Sequence, residues 1–168
     1  MPLPSSRGAR GAHGHEHRVR VRYAETDQMG VVYHAHYLVY MEEGRTRLME
    51  ALGFSYAELE RTGVGLAVHR AEVEYRAPAR YDEELIVRTS VQRVRSASVC
   101  FAYEILRASD GTRLATGLTD LACLGLETEP RRVRHLPEDM RAALLEAAGP
   151  QAGSRSSSKG RSWDASSP

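Results

Sequence analysis

The chain has 168 residues, 23 of them Lys or Arg against 22 Asp or Glu, for a net charge of +1. That balance excludes a dedicated nucleic-acid or membrane-surface binder, which needs a basic excess. The 42% apolar content suffices for one buried core, and no apolar run reaches a membrane span or forms a signal-peptide core, so a soluble cytoplasmic domain without membrane insertion is expected.

Residues 1–15 and 149–168 are rich in Ser, Gly, Pro and Arg and carry little apolar payload. They read as disordered tails around one domain spanning 16–148. Residues 17–24 alternate around Val19, Val21 and Tyr23, which predicts a strand. Residues 25–36 form a loop. From Tyr37 to about Leu52 the period becomes helical, with Leu38, Met41, Leu48 and Leu52 on one stripe and Gly53 as a stop. The helix is about 24 Å long at 1.5 Å per residue. Ser55-x-x-Glu58 resembles a capping box opening a short second helix that ends near Gly63.

Strands follow. In 66–77, Ala67, His69, Ala71, Val73 and Tyr75 share one face. In 84–95 the apolar face is Leu85, Val87, Thr89 and Val91; in 99–107 it is Val99, Phe101, Tyr103 and Ile105. Asp110-Gly111 marks a hairpin into 112–124, and Pro137 opens a last amphipathic helix to about Ala147. One long helix with an antiparallel sheet is an α+β domain. Cys100 and Cys123 fit no disulfide framework or metal spacing and read as buried thiols. A His13-x-His15-Glu16-His17 cluster at the tail boundary reads as adventitious, so no metal site is expected.

The chemistry concentrates in the segment from Tyr23 to Tyr37. Asp27 is an isolated acid between strand and helix, with Gly30 permitting a turn and Tyr33, His34, His36 and Tyr37 crowding the start of the helix. A carboxylate can act as general base or nucleophile. Unpaired N–H groups at a helix N-terminus can stabilise an oxyanion. Asp27 lies ten residues before Tyr37, so the loop can fold it back toward that terminus. His34 is a candidate for proton transfer or positioning near neutral pH. Tyr33 and Tyr37 pack the loop, with Tyr33 also a candidate substrate contact. Arg45 falls in the apolar stripe, where Glu42, three residues earlier, is expected to pair with it.

Glu25-Thr26-Asp27-Gln28-Met29-Gly30 and Tyr37-x-x-x-x-Glu42-x-x-Arg45 together resemble the active-site segment of hotdog-fold acyl-CoA thioesterases. Those are the 4-hydroxybenzoyl-CoA thioesterase family and its Tol-Pal-associated relatives. The resemblance covers roughly residues 17–126. It implies a sheet wrapped around the long helix, Asp27 as the catalytic carboxylate and the backbone N–H of His34 as oxyanion donor. Gly30, Glu42 and Arg45 read as structural support for the loop, with Glu42 as a second catalytic acid the alternative, and Gly44 stands where the family usually has alanine. The resemblance also implies an acyl-CoA substrate, no cofactor, and a homodimer or homotetramer. Arg93 and Arg95 are candidates for the CoA phosphates, with Arg131, Arg132 and Arg134 as alternatives, and His69 for a substrate contact. A non-catalytic acyl-CoA or acyl-carrier binding subunit is the alternative reading; a dehydratase of the same fold is weaker, since its motif is not visible.

Overall fold

The computed structural model describes residues 14–149; the readings of the two tails and of His13 fall outside them. The strands are β1 (His15–Arg20), β2 (Val64–Tyr75), β3 (Glu84–Val94), β4 (Ser98–Arg107), β5 (Arg113–Gly125) and β6 (Arg132–Val133). The helices are α1 (His36–Ala51), α2 (Tyr56–Arg61) and α3 (Glu138–Ala148). Every strand pair is antiparallel, in the order β1-β3-β4-β5-β2, with β6 added on β5.

The alternation expected for β3 and β4 is what builds the core. Leu85, Val87, Thr89 and Val91 on β3, and Val99, Phe101, Tyr103 and Ile105 on β4, are all buried. Helix α1 lies across that face. A Cβ on Gly117 of β5 would meet the Met41 side chain, and one on Gly44 would meet Val87 and Thr89 of β3. The sheet therefore curls around α1, the hotdog arrangement of the α+β class. Helix α3 adds Met140 and Leu144 to the same core. Gly53 and Gly111 adopt φ of +92° and +71°, as a helix stop and a hairpin require. Ser55 Oγ accepts the Glu58 N–H at 3.2 Å, so the predicted cap is formed.

Four expectations need correcting. Strand β1 opens at His15, the last residue assigned to the tail, and stops at Arg20. Tyr23 belongs to a single 3-10 turn, Tyr23–Glu25, and is exposed; the Glu25 carboxylate accepts the Arg22 N–H and bends the chain there. The buried stripe of α1 is Tyr37, Tyr40, Met41, Gly44, Arg45, Leu48 and Met49, while Leu38 is 40% exposed. Tyrosine hydroxyls and a guanidinium disguise this face in hydropathy. In β2 the pairing jumps from Val68↔Leu121 to Arg70↔Asp120, so His69 is the extra residue of a bulge. The bulge swaps faces: Ala71, Val73 and Tyr75 continue the face of Leu66 and Val68, not that of Ala67.

Candidate active site

The loop before α1 is a small hairpin. The Asp27 N–H donates to Val31 O at 2.9 Å, Thr26 bridges Val32, and the Tyr33 N–H donates to Glu25 O at 2.8 Å. At the tip, the Gly30 N–H returns to Asp27 O at 2.9 Å, with φ +72° at Gly30. The Val32 N–H donates to Ala79 O at 2.8 Å, tying the hairpin to the segment before β3.

Asp27 is half-buried. Its Oδ1 accepts the Met29 N–H at 2.8 Å, the Asx-turn its spacing allows. Its Oδ2 accepts no hydrogen bond from the described residues, so one oxygen is held and the other is available to a ligand.

The hairpin is anchored by Glu25, only 3% exposed. Its carboxylate accepts the Tyr40 hydroxyl at 2.7 Å and the Arg22 N–H and Nε at 2.8 Å each. Burial pushes the Glu25 carboxyl up, but the bonds from Arg22 and Tyr40 outweigh it and hold it below the usual carboxylate range. Burial, then the adjacent Glu25 charge, pushes the Tyr40 hydroxyl well up, so it remains a donor.

At the helix start, the His36 N–H donates to Tyr33 O at 2.9 Å and the Tyr37 N–H to His34 O at a long 3.4 Å. The N–H groups of His34 and Ala35 donate to nothing among the described residues. The His34 ring packs on Tyr33, with centroids 4.4 Å apart, and meets Tyr75 of β2 edge-on at 6.4 Å. Tyr75 also packs edge-on against Tyr37 at 5.2 Å, and its hydroxyl donates to His34 O at 2.9 Å. Asp27 and His34 thus belong to one short hairpin, with the Tyr33 and Tyr75 rings packed on His34. A carboxylate oxygen and free N–H groups are the two kinds of group that attack on a carbonyl and stabilisation of the resulting oxyanion require.

Other candidates sit elsewhere. Glu42 is exposed and does not pair with Arg45. Arg45 turns instead toward the sheet, where its Nε donates to the Tyr56 hydroxyl of α2 at 3.2 Å and its guanidinium lies 6.0 Å from that ring. The guanidinium follows its buried stem inward, away from the exposed carboxylate, and the acid that supports the loop is Glu25. Arg93 is ion-paired to Asp120 at 2.9 Å, an acid it shares with Arg70 at 3.4 Å. Arg95 has no ion-pair partner among the described residues.

Strand register separates these groups. Tyr75 pairs with Ala115, whereas His69 bulges beside Asp120 and Leu121, and the turn after Arg95 aligns with Ala122 and Cys123. Six residues of strand separate His69 from Tyr75, about 20 Å. Within one chain, His69, Arg93 and Arg95 therefore lie at the far end of the sheet from Asp27 and His34. Both cysteines are buried and free. Burial, then the Asp120 charge, pushes the Cys100 thiol up to about 11, and burial raises Cys123 as well. No cluster of three or more His, Cys, Asp or Glu among the described residues is placed to hold a metal, and no described helix is long and apolar enough to cross a membrane.

Glu25, Tyr40 and Tyr75 are the residues that sequence reasoning missed. Glu25 had a signal, since it is the first acid of the hairpin motif. Tyr75 had only its place in a periodic apolar face, and Tyr40 fell outside the stripe read for α1.

Residues 21–144 match the family model described as the thioesterase-like superfamily. YneP of Bacillus subtilis is 43% identical over 93 residues, covering 55% of this chain and 67% of that one. The acyl-CoA thioester hydrolase YbgC of Escherichia coli is 37% identical over 114 residues, covering 67% and 84%. Among solved structures, the DHNA-CoA thioesterase of Staphylococcus aureus aligns with a TM-score of 0.67 and 33% identity, covering 72% of this chain and 80% of that one.

Proposed function

The chain belongs to the thioesterase-like superfamily, and from that premise we propose that it is an acyl-CoA thioesterase, hydrolysing a thioester to the free acid and CoA. The thioester carbonyl docks at the start of α1, where the His34 N–H stabilises the oxyanion. Asp27, with Oδ1 held by the Met29 N–H, uses its free oxygen either to take a proton from an attacking water or to attack the carbonyl itself. The C–S bond then breaks and the CoA thiolate leaves to be protonated. Direct attack forms an acyl anhydride on Asp27 that a water then opens. The observation that carries this reading is the pairing, on one hairpin, of an available carboxylate oxygen with unpaired N–H groups at a helix N-terminus.

The remaining substrate contacts fall to a second copy of the chain. Strand β2 is a sheet edge, an arrangement that proteins cover. Val68 and Tyr75 of that strand and Leu38 and Val39 of α1 leave apolar surface exposed. A two-fold dimer across the β2 edge runs the partner's β2 antiparallel to this one. The partner's His69 end, 20 Å or so away within one chain, thereby moves toward the helix start. Tyr33 lines the acyl entrance, Arg95 meets the CoA phosphates, and Arg93 contributes only as far as its pairing with Asp120 permits.

The test is thiol release by the purified chain from short, long and aromatic acyl-CoAs. Release from at least one class is expected. Binding of acyl-CoA without release from any class contradicts the reading and leaves a non-catalytic acyl-CoA binding subunit.

A further inference from the structure

We infer that Tyr75 is a positioning residue for thioester hydrolysis, its hydroxyl fixing the His34–Ala35 peptide unit, whose N–H stands beside that of His34 at the oxyanion site. The inference rests on the proposed function and concerns a residue on the edge strand, outside both the acid hairpin and α1.

The two peptide units at the helix start differ in how they are held. The unit joining Tyr33 to His34 is fixed from inside the helix, because its carbonyl accepts the His36 N–H at 2.9 Å. The unit joining His34 to Ala35 lacks such a hold. Its carbonyl receives the Tyr37 N–H only at 3.4 Å, beyond the usual range for a good N–H···O bond. Its firm partner is the Tyr75 hydroxyl at 2.9 Å. A peptide unit is planar, so holding the His34 carbonyl sets the direction of the Ala35 N–H. It also limits rocking of His34, whose own N–H lies one Cα away. Donation to the carbonyl further polarises the unit and strengthens its N–H as a donor, as in any hydrogen-bond chain.

Tyr75 is built for this task. It is the last residue of β2, and pairing with Ala115 fixes its backbone. Its ring is braced edge-on by Tyr37, buried in the core, and by the His34 ring. The residue is nevertheless 47% exposed, so the hydroxyl adds little to burying the core. Oxyanion donors act because they stand in place before charge develops, and here that placement depends on a strand 41 residues away in sequence.

The experiment is Tyr75→Phe, which keeps the ring and its packing and removes only the hydroxyl. Three quantities are compared with wild type: kcat and KM for the best acyl-CoA, the affinity for a non-hydrolysable thioether analogue of it, and the melting temperature. Losing a whole oxyanion donor costs roughly a hundredfold or more in kcat; losing the group that orients one is expected to cost about tenfold. KM, thioether affinity and melting temperature are expected to stay at wild-type values, because the effect is confined to the transition state. Wild-type kcat in the folded variant overturns the inference. So does a fall in kcat matched by an equal loss of thioether affinity, since that marks Tyr75 as a pocket wall. Absence of thiol release from wild type overturns the proposed function instead, so the two failures are distinguishable.

Discussion

Asp27 and Glu25 sit two residues apart and the fold gives them opposite fates. Glu25 is buried and saturated by Arg22 and Tyr40, whereas one Asp27 oxygen accepts no hydrogen bond among the described residues. The buried acid therefore anchors the loop, and the half-buried one is the carboxylate that the proposed function uses. Tyr40→Phe strips one hydrogen bond from a buried carboxylate and should destabilise by about 1–3 kcal/mol in denaturant melts. The folded pKa of Glu25 is lowered, so its contribution is present above its unfolded value, about 4.3, and is lost as pH falls through the lowered folded value. Glu25→Gln should accordingly be less stable than wild type at neutral pH, and the gap should narrow across that acid window. A gap independent of pH would refute the ionised anchor. The cysteines make a separate prediction. With both thiols buried and raised, an aromatic disulfide reagent at neutral pH should label the native protein far more slowly than the unfolded chain, and should not inhibit thiol release beforehand.

At the level of the elements, α1 and the sheet approach too closely for a side chain at position 44. Glycine in mid-helix costs about 1 kcal/mol relative to alanine, which taken alone makes Gly44→Ala a stabilising change. The structure reverses that sign. A Cβ there would stand 2.5 Å from Thr89 Oγ1 and 2.7 Å from Val87 Cγ1, and both are fully buried on β3. Overpacking of this kind typically costs 1–3 kcal/mol or so, so Gly44→Ala should lower the melting temperature despite its better propensity. A rise would mean the helix can shift off β3. The contrast marks what the sequence carries. Strands β3 and β4 were legible because their alternation is unbroken from Leu85 to Val91 and from Val99 to Ile105, ahead of the register shift at Gln92, and the hairpin at Asp110-Gly111 and the stops at Gly53 and Gly63 were legible from turn chemistry. The face of α1 was misphased because Tyr37, Tyr40 and Arg45 are amphipathic and buried by their stems. The bulge at His69 was invisible because no local residue signals it, and it reassigned the faces of β2.

For the whole molecule, the acid hairpin was readable from its motif, since Asp27 and Gly30 are close in sequence and their turn is local. The rest of the site was not, because it depends on distance along strands. Tyr75 reaches His34 only through the β2–β5 register, and the Glu42–Arg45 pairing failed because tertiary contacts drew Arg45 to Tyr56. The same register places His69 and Arg95 at the other end of the chain's sheet, which is why the proposed site is shared between two copies. Light scattering should give a solution mass at least twice that of one chain. A lysine in place of Val68, on the exposed β2 edge, should lower both that mass and the activity; a fully active monomer would contradict a shared site. The most direct test of the central claim is the rate of CoA release by Asp27→Asn at saturating acyl-CoA, against wild type. Asparagine keeps the shape and the bond from the Met29 N–H while removing the carboxylate. In the variant kcat should fall by roughly a hundredfold or more, as when a base or nucleophile is lost, with the fold and acyl-CoA binding intact. A variant that retains wild-type kcat would contradict that claim and move the chemistry away from Asp27.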